Sequence, residues 1–238
     1  MPKHGKKYRS LKTQLDSTKI YQPQEALAWL KANAPARFDE TFELHLRMGI
    51  DPRHADQMVR GVVVMPRGMG KTVRILVFAD GEAAEMAREA GADYVGLDDL
   101  IAQIQGGWLE FDMAVAVPTA MGKVGRLGRI LGPRGLMPSP KSGTVVQPSE
   151  IKRVIEEARK GRVEYRVDKT ANIHIPFGKR SFEVEALLHN LGAAVDSVLR
   201  NKPAASKGAY IKKAYLTTTM SPSLRVDVNA LTALRSLA

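Results

Sequence analysis

The hydrophobic period changes twice along the chain, and that change constrains the fold more than any single motif. Phe42, Leu44, Leu46, Met48 and Ile50 alternate with Glu43, His45, Arg47 and Gly49, the two-residue period of a strand with one buried face. Beyond Pro66 the pattern becomes strand, then helix, repeated. An apolar strand is predicted at 73–79 (VRILVFA), a helix near 82–90, a short strand at Tyr94-Val95, a helix near 98–105 and a strand at 113–117 (MAVAV). Such alternation predicts parallel strands joined by right-handed crossovers in a Rossmann-like layered sheet. From about residue 160 the two-residue period returns. Val163, Tyr165 and Val167 oppose Glu164, Arg166 and Asp168, and Ile173, Ile175 and Phe177 follow around His174, a pattern that predicts a hairpin.

The remaining elements fit this division. Pro23 to Ala34 suits a short helix with Pro in its first turn, and Val59 to Met65 suits a strand. Thr144 to Val146 is a further strand, and a helix from Pro148 to Lys160 stops at Gly161. A helix over 182–200 precedes strands within 209–219 and 224–228, and the residues after Asn229 form a short helix or a frayed tail. The expected fold is therefore α/β and α+β in two domains. An antiparallel α+β domain is built from both chain ends (1–67 and 160–238), with a Rossmann-like α/β domain (68–159) inserted between them.

Charge divides the chain in the same places. Residues 1–67 hold 12 Lys/Arg against 7 Asp/Glu, residues 160–238 hold 13 against 6, and the middle holds 11 against 12. The excess behind the net charge of +11 thus lies at the two ends, as it would if they fold together into one cationic body with a polyanionic partner. The middle is itself polarised: residues 68–120 carry 3 basic and 9 acidic groups, whereas 121–143 carry Lys123, Arg126, Arg129, Arg134 and Lys141 with no acid.

Composition removes several alternatives. A hydrophobic fraction of 44% with 26% charged residues excludes wholesale disorder. The absence of cysteine excludes disulfides, thiolate zinc sites, iron–sulfur clusters and cysteine nucleophiles. No stretch approaches the roughly 18 apolar residues of a spanning helix, and the basic start MPKHGKKYRS leads into no apolar signal core, so a cytosolic protein without a membrane partner is expected.

Motifs of catalysis fail on inspection. Gly70-Lys71-Thr72 resembles the end of a phosphate-binding loop, but Met65 stands where the first glycine belongs, and a strand follows where a helix is needed. The histidines at 4, 45, 54, 174 and 189 lack ligand spacing and read as surface or satisfied core residues. Acidic pairs such as Asp98-Asp99 and Glu156-Glu157 sit on amphipathic helices, and no GxSxG elbow occurs. No enzyme, cofactor or metal site is expected.

Three segments are better candidates. Met121 to Gly143 has six glycines, three prolines and five cations: glycine permits close backbone approach, and Lys and Arg supply phosphate-directed donors. Its bland alternative is a flexible surface loop. In Glu164 to Thr170, Arg166 and Asp168 share the face opposite Tyr165, with Lys169 and Thr170 at the turn. That carboxylate can accept from a ribose 2′-OH or a base amine while the cations meet phosphates. The alternative is an ordinary charged turn. Thr217, Thr218 and Thr219 suit a strand by β-branching alone; with Met220 and Ser221 they also make a candidate RNA-contacting ledge.

These strings together closely resemble the family of the bacterial large-subunit ribosomal protein L-one, the protein of the mobile stalk. The similarity runs over nearly the whole chain: MPKHGKKYR, Ala36-Arg37-Phe38-Asp39-Glu40-Thr41, Gly49-Ile50-Asp51-Pro52-Arg53 with Val59-Arg60-Gly61, Gly91-Ala92-Asp93-Tyr94-Val95-Gly96, LGRILGPRGLMPSPKSGTV, and DKT with TTTM. The resemblance implies a terminal domain that binds a folded site in large-subunit (23S) rRNA, with contacts at Arg37, Phe38, Thr41, Glu43, Asp168, Lys169, Thr170, Thr217, Thr219 and Met220. Arg53, Arg166, Thr218 and Ser221, in or beside the matching strings, extend that surface. Lys123, Arg126, Arg129, Arg134 and Lys141 form a secondary basic segment facing RNA or tRNA. The implied partners are 23S rRNA within the ribosome, the exit-site tRNA whose release the stalk assists, and the chain's own operon mRNA, whose translation such proteins repress. A monomer is expected off the ribosome. The chain departs from the family pattern at Ser221, where Gly is usual, and at Val167 and Met58, where Asn is usual.

Two rival functions have their own discriminators. A Rossmann-like nucleotide-binding enzyme needs a phosphate fingerprint after strand 73–79, where Ala79-Asp80-Gly81-Glu82 instead presents acids. A DNA-binding regulator needs a recognition helix rich in Arg and Asn.

Overall fold

In the computed structural model of the chain, residues 5–16 and 18–237 are described, 236 and 237 by their backbone alone. The opening Met1–His4 of the basic N-terminal string, including the histidine at position 4, lies outside them. In chain order the elements are α1 (Lys6–Gln14), α2 (Pro23–Asn33), β1 (Thr41–Met48), β2 (Arg60–Val64), β3 (Ile75–Phe78), α3 (Gly81–Glu89), β4 (Tyr94–Gly96), α4 (Asp98–Gln105), β5 (Met113–Ala116), α5 (Met121–Val124), α6 (Gly128–Leu131), α7 (Ile151–Arg159), β6 (Arg162–Arg166), β7 (Asn172–Lys179), α8 (Val184–Arg200), β8 (Ile211–Thr218), β9 (Leu224–Val226) and α9 (Val228–Ala233). The chain divides into two compact units, Met1–Gly70 with Arg162–Ala238, and Lys71–Gly161.

The first unit carries a four-stranded sheet of order β7-β1-β8-β9 with antiparallel pairing throughout. Alternation in β1 does what its period predicts: Phe42, Leu44, Leu46 and Met48 are buried. They share a core with Ala26, Leu27 and Leu30 of α2, with Leu187, Leu191, Ala194, Val195 and Val198 of α8, and with Leu231 of α9. Phe42 and Phe177 meet with ring centroids 5.9 Å apart. The residues after Asn229 begin inside α9, whose N-cap Asp227 accepts a hydrogen bond from the Asn229 amide.

The strands on either side of Asp168 are not a hairpin. β6 pairs with β2 in a separate two-stranded sheet, while β7 pairs with β1. Each strand has an antiparallel partner elsewhere. The link between them is a tight turn in which Ala171 takes a left-handed φ of 60°. Gly61 of β2 faces Tyr165 of β6, and a Cβ there would lie 2.5 Å from the Tyr165 hydroxyl, so only glycine lets that hydroxyl reach Ser197 and Asn201.

The second unit holds a parallel three-stranded sheet of order β4-β3-β5. Ile75 to Phe78 are all buried, as expected for a strand covered on both faces. Two expectations are revised here. The strand at Thr144–Val146 reduces to a single parallel bridge between Val145 and Ala116. The glycine-rich stretch is not an open loop at its start: Pro118–Ala120, α5, Gly125–Leu127 and α6 are successive helical turns. Val124, Leu127 and Leu131 recur at helical spacing and are buried, and their burial outweighs the low helix propensity of the glycines between them.

Candidate nucleic-acid interface

Because β1 buries its even-numbered residues, it turns Thr41, Glu43, His45 and Arg47 to the opposite face of the sheet. The register sets neighbours beside them. Lys179, Pro176, His174 and Asn172 on β7 oppose these four in turn, and Thr217, Tyr215 and Lys213 on β8 oppose the last three. Eight residues of strand make this face roughly 24 Å long, and candidate residues gather at both its ends.

The Thr41 end is organised by Glu40, a fully buried carboxylate. Its Oε1 accepts from the Ala36 amide at 2.6 Å, and its Oε2 accepts from the Thr218 hydroxyl at 2.6 Å and the Met220 amide at 3.1 Å. One side chain therefore ties the Arg37-Phe38 segment to the turn after β8. Asp39 accepts from the Ser181 amide and hydroxyl, and Thr219 Oγ1 accepts from the Thr41 amide at 3.0 Å. Lys179 Nζ donates to Thr41 Oγ1 at 2.7 Å. Arg37, Phe38, Thr219 and Met220 remain exposed. Phe38 and Met220 are 55% and 54% exposed, so two large apolar side chains face solvent on segments held by the same carboxylate.

Two residues of the threonine ledge face inward. Thr218 is buried with its hydroxyl committed to Glu40, so this side chain is a brace rather than a contact. Ser221 folds its hydroxyl onto its own turn, accepting from the Thr218 amide at 2.9 Å and donating to Pro222 O. It thereby caps the turn. Thr217 is half-buried beside Glu43 and donates to Thr218 O.

At the other end stands the Asp168 turn, fastened to β1 by the Met48 amide on Ala171 O at 2.8 Å. Asp168 accepts from the Thr170 amide and hydroxyl and from the Asn172 amide and side chain. Burial pushes its carboxyl up, but the Asn172 amide and the Thr170 hydroxyl and amide outweigh that and hold it down to about 2. Asp168 is thus an ionised organiser of the turn that presents Lys169 and Thr170, both exposed. Val167 is buried and donates its amide to Val59 O.

Between the two ends lie two histidines. His45 Nδ1 and His174 Nδ1 are 2.7 Å apart, with the rings nearly edge-on. Burial, then the neighbouring His174, lowers the pKa of His45. Arg166 is exposed, but it belongs to the β2–β6 ladder opposite Arg60. Arg53 is exposed on the turn after β1, which Asp51 stabilises by accepting its amide.

In the second unit Lys123, Arg126, Arg129, Arg134 and Lys141 are all exposed, with Lys123 paired to Asp98 at 2.7 Å. Side chains added at Gly122, Gly125, Gly128 or Gly135 would meet open space, so backbone is bare beside these cations. Gly70-Lys71-Thr72 makes no phosphate cradle. Gly70 turns the chain at φ 66°, and Lys71 is spent on Asp112, which it holds down to about 2. Among the described residues no group of three acidic or histidine side chains is placed to hold a metal, and no helix is long and apolar enough to cross a membrane.

Glu40 is the organising residue of this candidate site that sequence reasoning overlooked. It stands in a run of charged and polar residues, where nothing local signals full burial. The two central histidines also read as bland, because their meeting depends on strand pairing.

The class defined by this fold and face is a two-unit α/β protein with a polar sheet surface suited to a polyanion. A family model for the ribosomal protein L1p/L10e family matches residues 30–222. The chain is 53% identical to the large ribosomal subunit protein uL1 of Dehalococcoides mccartyi over 98% of this chain and 99% of that one. It is 55% identical to the proteins of the same description from Thermobifida fusca, over 96% of both chains, and Thermomicrobium roseum, over 96% of this chain and 95% of that one. The chain belongs to the ribosomal protein L1p/L10e family, one of structural proteins rather than enzymes.

Proposed function

We propose that this chain, a structural constituent of the large ribosomal subunit, works there by gripping a folded segment of 23S rRNA with the outer sheet face of its first unit. The carrying observation is that Glu40 joins the Arg37-Phe38 and Thr217–Ser221 segments at one end of a face whose other end is the Lys169-Thr170 turn. Cations there meet phosphates, hydroxyls meet ribose, and Phe38 and Met220 pack on exposed bases. Recognition is of tertiary form, since the deep major groove of A-form RNA excludes side chains.

The same reading places the protein in the bacterial cytoplasm as part of a mobile stalk that assists release of exit-site tRNA. The exposed cations of the second unit, Arg126, Arg129, Arg134 and Lys141, supply secondary contacts to RNA or tRNA. The chain also represses translation of its own operon mRNA by binding an RNA mimic of the ribosomal site, and it is a monomer off the ribosome. The test is filter binding of the full chain to 23S rRNA transcripts, its own mRNA leader and duplex DNA across a salt series. Selective RNA binding that weakens steeply with salt is expected; equal affinity for duplex DNA would overturn the proposal.

A further inference from the structure

At the centre of the outer sheet face lies a pair of histidines to which no RNA-contacting role has been given. His45 and His174 meet there through their Nδ1 atoms at 2.7 Å. Their other nitrogens look outward to carboxylates: His45 Nε2 lies 3.6 Å from Glu43 Oε2, and His174 Nε2 lies 3.7 Å from Asp168 Oδ2. The side chain of His174 is 55% exposed and that of His45 26%. RNA spanning from Thr41 to the Asp168 turn has to cross this pair, and the two carboxylates beside it repel phosphate.

The proton count of the array follows from which nitrogens can donate. With both rings neutral, one Nδ1–H donates to the other Nδ1. The donating ring then turns a bare Nε2 lone pair toward its carboxylate. One added proton removes the conflict, because the imidazolium donates at both nitrogens and the neutral ring donates from Nε2. The central hydrogen bond is then kept, and each ring turns an Nε2–H toward its carboxylate at ion-pair distance. A second proton sets two N–H groups against each other at 2.7 Å and is opposed.

The surrounding charges set when the first proton binds. Glu43 and Asp168 favour it. Opposing it are first the burial of His45 and then the cations around the pair: Arg47 on β1, Lys179 on β7, Lys213 on β8, Arg225 opposite Tyr215 on β9, and Lys169 at the turn. Tyr215, opposite His45, is the remaining titratable neighbour. A phosphodiester backbone laid over the face neutralises those cations and tips the balance toward protonation.

We infer that His45 and His174 are a further part of the RNA-binding face, a proton-sharing pair between two carboxylates that gains a proton as RNA is laid across it. The inference rests on the RNA-binding role proposed above for the same face. It makes binding tighten as pH falls toward 6, by about three- to tenfold from pH 7.5.

The test is calorimetric titration of the full chain with a 23S rRNA transcript at pH 6.5 in two buffers of different ionisation enthalpy, beside filter binding from pH 7.5 to 6.0. Net proton uptake is expected in the wild type, lost in His174→Gln and His45→Gln, and kept in His54→Gln on the loop after β1. His174 is exposed, so its variant leaves the fold intact if His45→Gln does not. Uptake that persists unchanged in His174→Gln, or wild-type binding without uptake, overturns the inference and leaves the RNA role standing. Absence of RNA binding at every pH overturns both.

Discussion

Both oxygens of the buried Glu40 carboxylate accept hydrogen bonds, and the donors come from segments on opposite sides of the chain's long insertion. A carboxylate has only acceptors to offer, which suits three donors aimed at it. An amide in its place turns an N–H toward one of those donors and leaves it unsatisfied. We therefore expect Glu40→Gln to weaken rRNA binding about tenfold, about 1.4 kcal/mol, by loosening the Arg37-Phe38 segment against the Met220 turn. The slope of affinity against salt should stay as in the wild type, because no phosphate-facing cation is lost. Filter binding across salt reads both quantities, and unchanged affinity would deny Glu40 this positioning role. The neighbouring Thr218 shows the same logic in reverse: a threonine on an apparent ledge is withdrawn from solvent to serve the carboxylate.

At the scale of elements, α8 does more than cover the sheet. Its Asn190 is fully buried; Oδ1 accepts from the Arg67 amide at 2.9 Å, while Nδ2 donates to Gly68 O at 2.9 Å and Phe177 O at 2.8 Å. The helix thereby holds the segment leaving β2 against β7. Replacing Asn190 with Leu fills similar volume but strands three backbone groups, so we expect a loss of about 3 kcal/mol in urea unfolding of the chain; a loss under about 1 kcal/mol would mean that water replaces the amide. Individual elements were legible in the sequence wherever a period governs burial, as in β1, α2 and α8. The Asp168 hairpin was misread because β6 and β7 each have better partners in β2 and β1. The glycine-rich stretch was misread because glycine content masked the helical spacing of Val124, Leu127 and Leu131.

For the whole molecule, the decisive feature is where the second unit is inserted. β2 and β6 form an antiparallel ladder in which Val64 opposes Arg162, and Lys71–Gly161 fills what would otherwise be the loop of that hairpin. Hairpin tips tolerate insertions, because few contacts cross them. Replacing Lys71–Gly161 with a flexible glycine-serine linker should leave a folded protein whose rRNA affinity is within about tenfold of the full chain. Loss of cooperative unfolding, or of binding, would show instead that the first unit depends on the second. The periods, the two grammars, the segregation of charge to the chain ends and hence the class of fold can be read from the chain alone, because each follows from short-range spacing and burial. Which polar residues share a face, the inward turn of Glu40 and Thr218, and the meeting of His45 with His174 emerge only when the strands pair. Those contacts join residues as many as 180 positions apart, and strand pairing, which no local pattern encodes, brings them together.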